Sequence, residues 1–349
     1  MSRPVDRTSN PASLDPTFDP DAPGALGEGI FGLPHTPEQA RLIVIPVPFE
    51  ATTSYGRGTA NAPARVLEAS KQVELNDPQT GDPWKAGIAM LPIDPAVQAW
   101  NDEGCALSAP IVAAGGAHTP ELRERLAKVN AIGGRLNDWV YARTEETLDA
   151  GKIPGILGGD HAVSFGAIKA AAERYKGLGI LHVDAHADAR EAYEGFTWSH
   201  ASIFYNVHER IPHLGQIVQV GIRDFGVAEA ERIEQWTNLT AFTDTELGWE
   251  LMSGEPWQRI AARVVRPLPK KVWVSFDIDG LDPSLCPKTG TPVPGGLGWR
   301  EALMLLQLLA EDHQIVGFDL VEIGDGEWDA NVGARLLYKL AGWALSGAT

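Results

Sequence analysis

The sequence is poor in cysteine, with only Cys105 and Cys286 among its 349 residues. Because neither belongs to a Cys-x-x-Cys motif, a disulfide scaffold and a thiolate zinc site are both excluded. Cys286 is therefore expected to be a small buried residue rather than a nucleophile.

Long apolar runs are absent as well. No stretch of about 18 apolar residues occurs and the first residues lack an apolar segment, so neither a membrane span nor a signal peptide is predicted. The cytoplasm is the expected location. Positive charge is also scarce, because 29 Lys and Arg residues face 46 Asp and Glu residues and leave a formal net charge of −17. That balance argues against a nucleic-acid partner and is compatible with a cationic substrate.

Apolar strand-like runs alternate with helical stretches along most of the chain, a pattern typical of an α/β protein with a mostly parallel central sheet flanked by helices. The predicted strands are 41–48, 153–157, 179–186, 216–222, 239–243, 271–279 and 315–322. The predicted helices are 62–73, 120–150, 162–175, 227–237, 250–265, 299–312 and 330–345. Residues 76–118 are predicted to be a loop-rich surface excursion. We expect an irregular arm at 1–28 and a single catalytic domain at 29–349, because no later composition break suggests a linker.

Three polar motifs follow predicted strands. They are Gly-Gly-Asp-His161, Asp184-Ala-His186-Ala-Asp188 and Asp277-Ile-Asp279. If the second strand persists through its motif, all three of its polar side chains project to one side, because alternate residues of a strand share a face. The carboxyl ends of parallel strands meet at one edge of a sheet, where sites assemble. We therefore expect all three motifs to form one site.

The six candidate metal ligands are His161, Asp184, His186, Asp188, Asp277 and Asp279. Four carboxylates and two neutral imidazoles carry four negative charges, which two divalent ions would cancel. The sequence thus predicts a binuclear centre. Its oxygen-rich ligand set suits manganese(II), or nickel(II) given the two imidazoles. Two such ions would lower the pKa of a bridging water from about 15.7 towards neutrality and so provide a nucleophile.

Each motif taken alone has a plainer interpretation as a solvated turn or a helix N-cap. Three in succession at strand ends favour the metal site. The remaining histidines lack ligand spacing and are predicted to be structural; they include His35, His118, His182, His208, His213 and His313.

The motifs resemble those of the ureohydrolases, the family of arginase, agmatinase and guanidine hydrolase. The matching segments are Gly-Gly-Asp-His161, Asp184-Ala-His186-Ala-Asp188, Ser275-Phe-Asp277-Ile-Asp279-Gly-Leu-Asp282-Pro and Thr289-Gly-Thr-Pro-Val-Pro-Gly-Gly. The resemblance extends from about Ile43 to the C-terminus. It implies a three-layer arginase-like fold in which the six ligands bind a dinuclear metal pair.

Three catalytic roles also come with the resemblance. It implies that His200 shuttles protons to the leaving group, that Glu322 pairs with the substrate guanidinium and that Asp188 orients the nucleophile. The chemistry agrees, because a planar guanidinium matches a carboxylate and an imidazole suits proton transfer near neutral pH. Considered singly, each residue would favour a structural interpretation: a satisfied helix-start histidine at position 200 and an ion-paired strand-end glutamate at position 322.

The substrate expectation rests on departures from other members. Arginases resemble one another in the Asn, Ser and Asn side chains that hold the amino-acid end of their substrate, whereas this chain has Ala189-Arg190 and Thr197-Trp198-Ser199 in those neighbourhoods. Arginine is therefore not expected. Other stretches resemble the guanidine-hydrolase branch, whose members act on free guanidine with nickel and whose near relatives hydrolyse alkylated guanidines or metformin. These stretches are Gly29–Pro34, Pro46–Glu50 with Thr52–Gly56, Ser199–Ile203 and Glu327–Lys339.

We therefore expect a hydrolase that releases urea from free guanidine, a short N-alkylated guanidine or a biguanide such as metformin, with nickel favoured over manganese. Agmatine or a guanidino acid is the alternative substrate. A non-catalytic structural subunit and a phosphoesterase are alternatives of other classes; the latter needs a cation near the metals, for which only Arg190 is at hand. The resemblance also implies a homo-oligomer, a trimer or hexamer, possibly with a related subunit.

Overall fold

Residues 18–22, 24 and 29–347 are described by a computed structural model. The irregular arm predicted for residues 1–28 falls almost entirely outside them.

Eight strands form one sheet in which every pair of neighbouring strands is parallel. The strands are β1 (Leu42–Val47), β2 (Ile88–Met90), β3 (Ile153–Gly158), β4 (Gly179–Val183), β5 (Ile217–Ile222), β6 (Leu239–Thr243), β7 (Lys271–Asp277) and β8 (Gln314–Val321). Their order across the sheet is β2-β1-β3-β8-β7-β4-β5-β6. The expected parallel α/β sheet is thus confirmed.

Helices cover both faces of this sheet. They are α1 (Ala62–Ser70), α2 (Pro95–Ala113), α3 (Pro120–Asp149), α4 (Phe165–Arg174), α5 (Ile203–Arg210), α6 (Val227–Gln235), α7 (Asp244–Met252), α8 (Trp257–Val265), α9 (Trp299–Asp312) and α10 (Glu327–Ser346). Side chains of β1 show the layering. Leu42 and Val44 join the apolar cluster that includes α1, α8, α9 and α10, whereas Ile43 and Ile45 join the cluster that includes α3, α4 and α5. The three-layer expectation is confirmed. Among the described helices, none is both long and apolar enough to cross a membrane.

The prediction of loop for residues 76–118 is wrong. This segment contains the edge strand β2 and the 19-residue helix α2. The buried face of α2 includes Gly104 and Ser108, and Pro110 lies inside the helix. Small, polar and helix-breaking residues on the inner face hide the apolar period by which a helix is identified. The helix supports the loop after β1, because Asn101 Oδ1 accepts a hydrogen bond of 2.8 Å from the backbone N–H of Glu50.

The helix predicted at 250–265 is also wrong in its continuity. Two helices, α7 and α8, replace it, because Gly254 adopts a φ of 91° and Pro256 is the N-cap of α8. A left-handed residue ends a helix, and proline favours the start of the next.

The strand order brings the polar motifs together. β3, β8, β7 and β4 are consecutive neighbours in the middle of the sheet, although they are far apart in the chain. Since all four run in the same direction, their carboxyl ends meet at one edge. His161, Glu322 and Asp184 lie just after β3, β8 and β4, and Asp277 is the last residue of β7. A site assembled from distant parts of the chain therefore lies at the centre of this edge.

Candidate metal centre

The segment after β4 differs from its predicted conformation. The strand ends at Val183, and Asp188 adopts a left-handed backbone with a φ of 52°, so strand alternation does not place its side chain. Ala185, Ala187 and Ala189 are fully buried between the polar residues. Asp184, His186 and Asp188 nevertheless face the same site, because their side chains lie within 3.4 Å of other candidate ligands. Left-handed non-glycine residues are costly and cluster at functional sites.

His161 lies at the centre of one group of candidate ligands. It begins the turn His161–Ser164 between β3 and α4. Its Nδ1 lies 3.2 Å from Asp184 Oδ2, 3.2 Å from Asp188 Oδ2 and 3.5 Å from Asp277 Oδ2. Four of the six predicted ligands therefore converge on one point.

His186 lies at the centre of a second group. Its Nδ1 is 3.4 Å from Asp184 Oδ1 and 3.1 Å from Asp279 Oδ2. Asp184 belongs to both groups, because its two carboxylate oxygens face different imidazoles. By these distances the six side chains form two adjoining clusters that share one carboxylate, the arrangement expected of a binuclear centre.

The donor set fits a pair of divalent ions. Ligands about 2.1 Å from an octahedral ion are about 3.0 Å from one another, close to the spacings measured around His161 and His186. His161 Nδ1 is buried and has no hydrogen-bond partner among the described residues. A buried lone pair that faces three carboxylate oxygens is unfavourable unless a cation lies between them.

The pKa values of these side chains reflect the same crowding of buried carboxylates. Burial and the charge of Asp184 raise the pKa of Asp188 to about 7. Burial alone would lower the pKa of His186, but Asp279 and Asp184 outweigh it and raise that pKa to about 12. Burial and the neighbouring Asp279 carboxylate likewise raise the pKa of Asp277. Without metal, the cluster therefore retains protons where cations would otherwise sit.

A second layer of side chains fixes the ring of His161. Its Nε2 lies 2.9 Å from Ser275 Oγ, and that hydroxyl donates a hydrogen bond of 2.8 Å to Asp319 Oδ1. Trp273 Nε1 donates to Asp319 Oδ2 at 2.6 Å. Because Ser275 Oγ–H donates to the carboxylate, its oxygen accepts from His161 Nε2–H, and Nδ1 is the ring nitrogen that faces the three carboxylates.

His182 plays a similar part for Asp184. Although its spacing predicts only a structural role, its Nε2 lies 2.7 Å from Asp184 Oδ2 and its Nδ1 lies 3.0 Å from Gln219 Nε2. The ring stacks on Phe204 with centroids 3.8 Å apart. Burial lowers the pKa of His182 to about 4, so the neutral ring donates its N–H to the shared carboxylate.

Glu322 lies directly after β8 with a left-handed φ of 59°. Its Oε1 accepts a hydrogen bond of 3.0 Å from the backbone N–H of His161, so the carboxylate borders the first ligand group. A side chain at Gly290 would lie 3.1 Å from Oε2 at its Cβ, so glycine keeps that oxygen uncovered. Burial and the charge of Asp160 raise the pKa of Glu322 well above its usual value. A buried acid without a cationic partner is suited to binding a cation.

His200 begins the turn His200–Ser202 before α5. Its backbone N–H donates to Thr52 Oγ1 at 3.1 Å. Burial lowers the pKa of the imidazole to about 4, and the charge of His186 acts in the same direction. The ring is therefore neutral near pH 7 and can both accept and donate a proton. Trp198, two residues earlier, packs against Phe165 and lies under the guanidinium of Arg210. The cation in contact with its ring is therefore a side chain of the protein itself.

Arg190 and Tyr193 lie beside His200. The Tyr193 and His200 rings have centroids 6.3 Å apart, and the Arg190 guanidinium carbon lies 4.8 Å from the Tyr193 ring centre. Arg190 Nε also pairs with the buried Glu229 at 3.2 Å. Tyr193 therefore contacts both the ring of His200 and the Arg190 guanidinium, whose charge is paired with Glu229.

Several residues of the site are not assigned a role by the sequence analysis: Ser275, Asp319, His182, Asp160 and Gln219. The sequence does contain a signal that predicts a role for Asp319. A single carboxylate in the otherwise apolar strand β8 must be buried and therefore hydrogen-bonded to a partner. Cys286 is buried with a raised pKa, mainly because of burial, as expected of an inert thiol.

This chain is similar in sequence and fold to known ureohydrolases. A profile described as the arginase family matches residues 40–341. The chain is 33% identical to an N(1)-aminopropylagmatine ureohydrolase of Thermus thermophilus, over 90% of this chain and 94% of that protein. It is 28% identical to an agmatinase of Bacillus anthracis, over 82% of this chain and 84% of that protein. The solved agmatine ureohydrolase of Thermoplasma volcanium shares the fold with a TM-score of 0.69 and 24% identity, over 91% of this chain and 94% of that one.

Proposed function

The chain belongs to the arginase family of ureohydrolases, and we propose that it releases urea from a small guanidino compound: free guanidine, a short N-alkylated guanidine or a biguanide such as metformin. It is a hydrolase that acts on C–N bonds of amidines, and enzymes of this family use a binuclear divalent metal site. One observation supports the proposal above the others. The buried carboxylate of Glu322, whose Oε2 is left uncovered by Gly290, borders a ligand cluster suited to two cations.

The six clustered side chains are the proposed ligands. His161, Asp184, Asp188 and Asp277 would hold one ion, and His186, Asp184 and Asp279 would hold the other. When bound, such a pair provides an activated water near neutral pH and positive charge opposite the developing negative charge of the transition state. Nickel is the proposed metal, with manganese as the alternative, since two imidazoles accompany four carboxylates.

Residues of the chain bind the substrate and move its protons. Glu322 pairs with the guanidinium and fixes the plane of its central carbon, and Asp188 orients the attacking water. Neutral His200 accepts a proton from that water and passes it to the departing nitrogen. The C–N bond breaks, the oxygen of water ends in urea, and the amine leaves with the proton from His200.

The surroundings of His200 support a substrate with a short, uncharged tail. The Arg190 guanidinium lies over Tyr193, whose ring edge faces His200. Because the departing amine lies beside His200, a cationic tail would approach this positive charge. Free guanidine and short alkylguanidines avoid that repulsion.

Agmatine is the second candidate, because proteins named agmatinase and N(1)-aminopropylagmatine ureohydrolase are similar to most of this chain. Its ammonium tail would have to pass Arg190, so we rank it after the small guanidines. A guanidino acid such as 4-guanidinobutyrate has a tail of the opposite charge and would tolerate Arg190.

A non-catalytic subunit is less well supported. A metal site that only stabilises a fold needs neither an uncovered buried carboxylate such as Glu322 nor a neutral imidazole such as His200. The proposed assembly is a homo-oligomer, a trimer or hexamer, in the cytoplasm, and a related second subunit would be its only macromolecular partner.

A substrate panel tests the proposal. Purified protein is loaded with nickel or manganese in parallel, and urea release is measured from guanidine, methylguanidine, metformin, agmatine and 4-guanidinobutyrate. We expect the highest kcat/KM for one of the first three with nickel. Turnover of agmatine or 4-guanidinobutyrate alone would overturn the substrate assignment. Absence of urea from every compound, with two ions bound per chain, would overturn the function.

An Arg190→Gln variant makes the panel sharper. The substitution removes the positive charge over Tyr193 but keeps a polar side chain of similar length. We expect kcat/KM for agmatine to rise relative to that for guanidine. An unchanged ratio would show that Arg190 does not contribute to selection.

A further inference from the structure

We infer that Thr52 is a positioning residue. It fixes His200 relative to the proposed metal-ligand loop after β3, to which Thr52 is hydrogen-bonded at Asp160. The inference rests on the proposed function, because it assigns a purpose to the placement of His200. Thr52 lies in the loop after β1, far in sequence from both partners, and its side chain is only 3% exposed.

The Thr52 hydroxyl makes two hydrogen bonds in opposite senses. Oγ1 donates to Asp160 Oδ2 at 3.0 Å and accepts from the backbone N–H of His200 at 3.1 Å. The backbone N–H of Thr52 donates to the same Asp160 oxygen at 3.4 Å. A hydroxyl has one proton, which Thr52 uses in its hydrogen bond to the carboxylate. A lone pair of Oγ1 therefore remains to accept from the backbone N–H of His200. Asp160 therefore orients the hydroxyl that holds His200.

Both ends of this link belong to the proposed machinery. Asp160 immediately precedes His161, whose Nδ1 faces three carboxylate oxygens. His200 contributes the first N–H of its turn, a group that lacks a partner within the turn itself. Thr52 thus joins the ligand loop after β3 to the turn that bears the proton shuttle.

The loop that contains Thr52 is itself braced. Glu50 Oε2 accepts hydrogen bonds from Gly58 N at 2.6 Å, Thr59 Oγ1 at 3.2 Å and Ala60 N at 3.3 Å. Asp160 N donates to Phe49 O at 2.8 Å, and a Cβ at Gly159 would collide with that carbonyl oxygen. Because the loop cannot follow a displaced partner, Thr52 is a fixed reference for His200.

Thr52→Val tests the link, because valine keeps the branched shape and removes the hydroxyl. We expect kcat to fall about 10-fold to 100-fold, as for a displacement of about 1 Å at a catalytic group. KM and the two bound ions per chain should change little. Thr52→Ser restores a hydroxyl and should recover most of the lost rate.

A matched control distinguishes positioning from general stability. Thr147 is also buried, at 6% exposure, and its hydroxyl donates to Arg143 O within α3, outside the loop that contains Thr52. Thr147→Val should lower the melting temperature about as much as Thr52→Val while it preserves kcat. Equal losses of kcat in the two variants would overturn the inference.

A double-mutant cycle identifies the route of the effect. If Thr52 acts through His200, Thr52→Val costs nothing further in a His200→Ala background. The same fold-loss in both backgrounds would overturn the inference and indicate a merely structural residue.

Hydrogen exchange provides a readout that needs no activity. In metal-free protein, Thr52→Val should speed amide exchange in the peptide that covers residues 199–202, whereas Thr147→Val should not. Unchanged exchange in that peptide would overturn the link even if no substrate is ever turned over. Absence of turnover by the wild type, with this exchange difference present, would count against the proposed function alone.

Discussion

His161 Nε2 lies 2.9 Å from Ser275 Oγ, and this single contact decides which ring nitrogen is available to an ion. The serine hydroxyl donates its hydrogen bond to Asp319, so its oxygen accepts from the imidazole N–H. In the neutral ring, Nδ1 then carries the lone pair and faces three carboxylates. The direction of two hydrogen bonds thus orients His161 as a proposed metal ligand.

Removing this orienting contact should weaken metal binding. For Ser275→Ala we expect a loss of affinity of about 10-fold to 100-fold at the ion held by His161. Competition with a fluorescent chelator would measure it. Ser70→Ala is the control, because Ser70 is a fully buried serine whose hydroxyl bonds Phe31 N and Leu67 O, away from the site. Equal affinity in the wild type and Ser275→Ala would contradict the role of the second layer.

The shared carboxylate should matter more than the unshared ones. Asp184→Asn weakens both ion sites, because its two oxygens face His161 and His186. Asp188→Asn and Asp279→Asn should each leave about one ion per chain. Elemental analysis after gel filtration would count the ions. Asp77→Asn, at a buried aspartate paired with Lys339, should retain both; two ions bound by Asp184→Asn would contradict the two-cluster arrangement.

Metal affinity should rise with pH. Asp188 has a pKa raised to about 7, so below that pH an incoming ion must displace a proton. The apparent affinity should fall by about tenfold for each pH unit and each displaced proton. Calorimetry in buffers of different ionisation enthalpy measures the released protons. An affinity that is flat between pH 5 and pH 8 would be incompatible with this cluster.

The same shift has a consequence for stability. Since the pKa of Asp188 is raised above its usual 3.8, the folded metal-free protein binds more protons than the unfolded chain between about pH 4 and about pH 7. Its contribution to stability is present at low pH and is lost as pH rises through about 7. Metal-free Asp188→Asn should therefore lose less stability over this range than the wild type does, as urea denaturation at several pH values would show.

Glu322→Gln should separate function from stability. The amide keeps the shape but removes the charge that pairs with the guanidinium, so we expect kcat/KM to fall by about a hundredfold or more. The metal-free protein should be as stable as the wild type or more so, because a buried acid with a raised pKa has been removed. Metal content is the control. A variant with unchanged kcat/KM would show that Glu322 does not bind the substrate.

Much of the site is readable from sequence because its ligands occur in short motifs at strand ends. Asp184, His186 and Asp188 were placed together by assuming an extended strand, yet the strand ends at Val183 and the left-handed Asp188 completes the site by another route. Spacing restricts which residues can meet, but it does not determine the backbone between them.

Other features depend on contacts between distant segments. Thr52 and His200 are joined only because β1, β3 and β4 end at one edge of the sheet. Helix α2 has Gly104 and Ser108 on its inner face, where α2 approaches Ala51, so its apolar period is weak. Close backbone approach selects small residues, and small residues hide the helix from pattern analysis.

The most direct measurement follows urea release as metal-free protein is titrated with nickel or manganese, with the number of bound ions counted at each step. We expect turnover of the best small guanidine to appear as the second ion binds, and Asp279→Asn, with one ion, to stay inactive. Full turnover with one ion, or none with two, would contradict a binuclear ureohydrolase centre in this protein.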